Sequence, residues 1–257
     1  MKTKLTELSE KGYARTEASS ILAKMAANEI QRSDVAKKEY MDLWTRSGVT
    51  IASSCLMGPA PFDDAFEIAV DNISHARAYA NALPEDFEIV LTSGDIERVY
   101  KEGKRGVNLN FQDTTPFGSN LDRVDYFYNL GLRIVQLTYN LRNLVGDGCT
   151  EIYKTGLSYY GKALVERLND LGMIVDVSHS SQQVGWDALE TSRTPIMISH
   201  SSSNAVCYHD RGKDDDLAKA VADRGGFFGV VIVPGFVQNK KPIATLDDFA
   251  EHIMHLV

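Results

Sequence analysis

Two stretches of the chain end alike: "GMIVDVSHSS" at 172–181 and "TPIMISHSSS" at 194–203. Each is an apolar run closed by Ser-His-Ser, which sets His179 and His200 twenty-one residues apart. Neighbouring parallel strands lie about 4.8 Å apart, and in βα arrays function gathers where the strands end. If the two runs are adjacent strands, both imidazoles open onto one pocket. Two such rings can hold one metal ion, at about 2.0–2.1 Å from each nitrogen, with further ligands from elsewhere. Asp176, three residues before His179, is a carboxylate that could accept a ring N–H and fix an imidazole. The plainer alternative is that each Ser-His pair satisfies loop backbone. One histidine alone fits that alternative well; two in step on consecutive strands fit it less well.

The elements that must carry these residues can be read from periodicity. Residues 1–46 mix alanine, leucine and charge without Pro or Gly clusters and read as helical. Expected strands are 48–57, 87–92, 106–111, 132–138, 173–178, 195–199 and 227–233. Helices alternate with them over about 66–83, 94–104, 119–131, 158–172, 181–192 and 214–226, and a last one begins near "TLDDFAEHIMHLV". Ser119 and Ser158 are candidate N-caps, and Gly131 and Gly172 stand just past helix ends. This alternation implies parallel strands with crossover helices, an α/β fold of TIM-type (β/α) architecture. The expected organisation is a helical segment over 1–46 and a barrel domain over 47–257.

At 257 residues the length suits one barrel, and 44% hydrophobic residues suffice for a core. The net charge of −8 argues against nucleic acid or an anionic membrane surface as a partner. No apolar run approaches the roughly 20 residues of a membrane span. The three cysteines, Cys55, Cys149 and Cys207, form no paired framework, and the N-terminus has no apolar signal-peptide core. A reducing, cytoplasmic setting is the simplest expectation.

The histidine stretches, together with "NAVCYHDRGKDDDLAKAVADRGGFFGV" and "LGLRIVQLTYNLRNLVGDGCTEIYKTGLSYYGKALVERLNDLG" (130–172), resemble the membrane dipeptidase family, the M19 metallopeptidases. The similarity runs from about residue 48 to the end and is most specific over 106–233. It implies a metal-dependent, hydrolase-like (β/α)8 barrel with two zinc ions at its mouth, cleaving dipeptides. His179 and His200 match two zinc ligands. Arg211 matches the arginine that clamps the substrate carboxylate, a task suited to a planar guanidinium. Without the resemblance Arg211 reads equally well as a surface residue paired with Asp210 or Asp214–Asp216. Tyr139 falls where many members carry a histidine that polarises the scissile carbonyl, and a rim aromatic is its alternative.

Three departures qualify the match. Gln112 falls where the family's bridging glutamate is expected, and a neutral amide is a poorer zinc ligand; Asp113 beside it points to the opposite face. The resemblance also implies a first strand ending in a His-x-Asp pair that binds the other zinc, and no His-x-Asp occurs in the chain. The family's last strand, with its proton-shuttling aspartate, has no counterpart before Val257. The first and last barrel strands are therefore expected to be missing or atypical, with one zinc plausible and a two-metal site doubtful. The N-terminal helices, or a second copy in a homodimer, could cover the resulting gap. The leading expectation is a zinc dipeptidase-like hydrolase acting on dipeptides or small amides with a free carboxylate, with activity open to question in this chain. The alternative is a non-catalytic relative or fragment that binds a small carboxylate ligand or a protein partner. A generic metal-dependent hydrolase barrel ranks last. His75, His209, His252 and His255 are expected on solvent or helix faces, with His209 of interest for its closeness to Arg211.

Overall fold

The computed structural model describes residues 3–13 and 15–257. The chain opens with helices α1 (Lys4–Glu10), α2 (Arg15–Arg32) and α3 (Asp34–Ser47). Strand β1 (Ile51–Met57), α4 (Ala65–Ala82), β2 (Phe87–Ile89), α5 (Ser93–Lys101) and β3 (Arg105–Phe111) follow. After a short 3-10 turn at Thr115–Phe117 come α6 (Asp122–Asn129), β4 (Leu132–Gln136), α7 (Tyr159–Asp170), β5 (Ile174–Asp176), α8 (Gln182–Thr191) and β6 (Met197–Ser201). The chain ends with α9 (Asp215–Asp223), β7 (Phe227–Val230), α10 (Pro234–Val237) and α11 (Leu246–Leu256).

The strand order is β1-β3-β4-β5-β6-β7, with β2 on β3. The ladders β2–β3, β4–β5, β5–β6 and β6–β7 are parallel. The fold is thus an α/β, TIM-type strand–helix array, with seven strands among the described residues instead of the eight of a full barrel. Every expected strand and helix is present, displaced by a few residues at its ends. The helical reading of 1–46 corresponds to α1–α3, and residues 1, 2 and 14 of it lie outside the described residues. Ser119 does not cap α6, which starts three residues later with Leu121 at the cap and no side-chain bond. Ser158 does cap α7, accepting from Gly161 N. Gly172 and Gly131 end their helices at φ 70° and 104°, a region that favours glycine. The short α10 has no periodicity to announce it; Pro234 at its first turn fixes it.

Two compact units make up the chain. The first is Met1–Leu56 with Glu67–Leu109. Its core gathers Ile30, Leu83 and Phe87, against which Tyr40, Met41, Trp44 and Tyr79 pack. Trp44 meets Phe87 edge-on with ring centroids 5.2 Å apart.

The second unit is Met57–Phe66 with Asn110–Val257, and it carries every candidate site residue. Leu132, Val135, Val175, Val177 and Ile198 are buried on the strands, and Leu164, Leu168, Val184, Leu217 and Val221 on the covering helices. Phe111, Phe117 and Phe127 are fully buried. Phe127 lies 5.0 Å from Phe111, 5.8 Å from Phe117 and 5.4 Å from Phe66, centroid to centroid. Phe111, a member of this aromatic cluster, is the last residue of β3 and immediately precedes Gln112. Phe127→Ala is expected to cost about 3–5 kcal/mol, read as a lowered urea midpoint for the transition of the second unit.

Candidate metal centre

The register of β5 and β6 explains the repeated Ser-His. Asp176 pairs with Met197 across the ladder, an offset of twenty-one, and His179 and His200 each stand three residues further on. Both rings therefore leave the sheet at the same level. The ladder from β6 to β7 slips by one residue between Ile198 and Ser201, so Ser199 and His200 lie in a bulge, a feature that re-aims side chains next to sites.

His179 Nε2 and His200 Nε2 are 3.0 Å apart. Their other nitrogens decide the tautomers. His179 Nδ1 lies 2.7 Å from Asn140 Oδ1, which can only accept, so Nδ1 carries the hydrogen. Ser199 Oγ already donates to Asp176 Oδ2, so at 2.7 Å it accepts from His200 Nδ1–H. Both Nε2 atoms are then bare lone pairs facing one another. Gln112 Nε2 stands 3.4 Å from His200 Nε2, able to donate to it.

Asp176 is buried and serves both strand ends. Its Oδ1 accepts from Ser178 N at 2.9 Å, Ser178 Oγ at 2.5 Å and Ser199 N at 3.2 Å. Ser178 Oγ in turn accepts from His200 N at 3.1 Å. The carboxylate thus reaches His200 through the Ser199 hydroxyl and not His179, its nearer neighbour in sequence. Tyr139 stacks on His179, centroids 4.1 Å apart and planes 18° apart.

Arg211 is 2% exposed. Its Nη1 donates to Ser178 O and its Nη2 to His200 O at 2.7 Å, which ties the two histidine-bearing segments together. Its Nε is buried without a partner. His209 Nδ1 accepts from Arg211 N at 3.0 Å. Of the remaining histidines, His252 departs from the surface expectation. It is fully buried, with Nδ1 accepting from Ser203 N and Nε2–H donating to Val237 O, and so pins α11 behind the loop that follows β6.

Burial holds both site histidines neutral. It pushes the His179 pKa down to about 2, with Arg211, His200 and Lys213 adding repulsion. His200 is lowered by burial and by Arg211, against which Asp176 acts in part. Neutral imidazole is the form that binds metal. The donor set fits one cation, because two lone pairs 3.0 Å apart are close to the spacing of ligands sharing an ion at about 2.0–2.1 Å. Among the described residues, no group of three His, Cys, Asp or Glu side chains could hold a metal ion.

A model of the membrane dipeptidase family, peptidase family M19, matches residues 29–257. The chain belongs to the membrane dipeptidase family. Two Schizosaccharomyces pombe proteins described as uncharacterized dipeptidases are similar to it. One is 30% identical over 189 residues and the other 33% identical over 196, each alignment covering 73% of this chain. They cover 46% and 47% of those proteins, so the chain spans about half the length of the curated relatives it matches. A Pseudomonas aeruginosa amidohydrolase of known structure superposes with a TM-score of 0.76 at 31% identity, over 82% of this chain and 63% of that one. Among the described residues no helix is long and apolar enough to cross a membrane.

Lys213 stands out in this family member's site and carries no sequence signal, since a lysine between Gly212 and Asp214 reads as surface. It is 1% exposed, and its Nζ donates to Ser180 O. Burial, and Arg211 next, pull its pKa from 10.5 down to about 7. The unfolded chain therefore holds one more proton than the native chain between these values. Stability should rise with pH from about 7 to 10.5 on this account and lose that contribution as pH falls. Lys213→Met should flatten this slope in urea titrations at a series of pH values.

Proposed function

We propose that this chain carries the two-histidine part of a zinc dipeptidase site and acts on dipeptides or related small amides with a free carboxylate. The observation that carries the reading is the pair of neutral imidazoles with converging Nε2 lone pairs, 3.0 Å apart, in a member of the membrane dipeptidase family. His179 and His200 would hold one Zn²⁺, which supplies Lewis acidity toward the scissile carbonyl.

The chain's own residues have distinct tasks in this reading. Asn140 and Ser199, the latter backed by Asp176, hold the rings in their ligating tautomer. Tyr139, stacked on His179, brings a phenol to the rim as a hydrogen-bond donor to the carbonyl oxygen. Gln112 offers a neutral amide beside His200. Its lack of charge supports one bound ion over two. Arg211 and Lys213 place buried positive charge behind the imidazoles, which favours a substrate bearing a carboxylate. Arg211 Nε, buried and unpartnered, is the group proposed to face it.

Elemental analysis of the purified full chain tests the reading. About one zinc per chain is expected, falling to background in His179→Ala and His200→Ala, as is common when a metal ligand is removed. Zinc-loaded protein should cleave at least one member of a dipeptide panel, and Arg211→Met should raise KM more for free-carboxylate dipeptides than for their amides. Protein without stoichiometric zinc that leaves the panel untouched would overturn it.

A further inference from the structure

Asn140 combines three features that no other described residue shares. Among the described residues it is the one non-glycine at positive φ, 61°. Its Oδ1 is 2.7 Å from His179 Nδ1. The same oxygen accepts the Cys149 S–H at 3.5 Å, so the oxygen end of the amide is held by two donors. We propose that Asn140 is a positioning residue that commits His179 to its Nδ1–H tautomer, and that the strained turn carrying it serves this purpose.

The surroundings over-determine its backbone. Asn140 O accepts from Thr150 N at 2.9 Å and from Thr150 Oγ1 at 2.8 Å. Gly148 packs so closely that a Cβ there would lie 2.0 Å from Asn140 C and O. Cys149 N donates to His179 O at 2.9 Å. The 148–150 segment thus grips the main chain of Asn140 and of His179 together. A left-handed residue of this kind persists only where its neighbours hold it, and such positions cluster at sites.

The tautomer matters because of what the histidines would otherwise do. At 3.0 Å, a hydrogen on either Nε2 would make an ordinary N–H···N bond between the rings. That bond would consume both lone pairs and close the pair to a cation. His200 is protected from this by Ser199 and Asp176. On His179 the only side-chain acceptor at Nδ1 among the described residues is Asn140 Oδ1. Asn140 therefore decides between a self-satisfied histidine pair and one open to a divalent ion.

The inference deepens the metal-site reading, and one arm of its test is independent of it. The first arm records ¹⁵N chemical shifts of the imidazoles in histidine-labelled, metal-free protein, with His179→Gln to assign the signals. Wild-type His179 should show a protonated Nδ1 and a bare Nε2. Asn140→Gly keeps a residue at ease at this φ but removes the acceptor; it should shift His179 toward Nε2–H. Asn140→Asp keeps an acceptor oxygen and should retain the wild-type pattern. The second arm measures Zn²⁺ affinity by competition with a chelator. Asn140→Gly should bind about 10–100-fold more weakly, as expected when a residue orienting a metal-binding histidine is lost, and Asn140→Asp should match or exceed wild type. The inference is overturned if Asn140→Gly keeps the Nδ1–H pattern, or if Asn140→Asp loses tautomer and affinity as Asn140→Gly does. Wild-type protein that binds no zinc would sink the metal reading while the ¹⁵N arm still decides the tautomer.

Discussion

Two unprotonated imidazole nitrogens facing each other at 3.0 Å are the constraint on which the rest of the site depends. Lone pairs so close repel unless a proton or a cation lies between them. The protein closes the first route on both sides. Asn140 takes the hydrogen of His179 at Nδ1 and Ser199 takes that of His200. Burial closes the related route of protonating the pair from solvent, since it lowers both pKa values. What is left is a pair of acceptors 3.0 Å apart, with the Gln112 amide 3.4 Å from that of His200, whose closeness a positive ion between them would relieve.

Holding that arrangement takes most of the polar groups at the ends of β5 and β6. The serine that precedes each histidine is a working part. Ser178 and Ser199 both donate to Asp176, and each then accepts from His200, one at its backbone N–H and the other at its ring. One carboxylate so fixes the heights of two strand ends and the tautomer of one ring. Arg211 closes the other side by bonding the carbonyls of Ser178 and His200. A guanidinium is suited to this because its rigid fork can span two acceptors at once. Two of its five N–H donors are committed in this way, which gives the residue a structural duty beside any recognition it performs.

Much of this was legible in the sequence, for a physical reason. Strand ladders are periodic, so a repeated Ser-His at an offset of twenty-one carries the β5–β6 register within it, and the element pattern carried the parallel α/β fold. What was not legible depended on contacts between segments without periodicity. Asp176 lies nearest His179 in sequence, yet the bulge in β6 turns Ser199 and His200 toward it. Asn140 follows Tyr139 in an irregular loop where a left-handed residue leaves no mark on composition. His252 reads as a helix-face residue because its partners, Ser203 and Val237, come from other parts of the chain. Lys213 reads as surface because a charged residue next to glycine and aspartate usually is.

Lys213 and Arg211 also bear on how charge balances at this centre. Both are buried, and both act on His179 as repulsive neighbours. Asp176 is the buried carboxylate bonded into the same network. Adding a divalent ion to such a place works against two positive charges, and a low-dielectric interior makes that opposition stronger than it would be in water. An anion arriving with the ion changes the sign of the problem, because it meets the ion and the two cationic side chains together. For the proposed hydrolase this couples the affinities: a substrate carboxylate should bind better when the ion is present, and the ion better when the carboxylate is, by the same factor. A neutral amide at Gln112, where a carboxylate would already supply the counter-charge, leaves that role to the ligand.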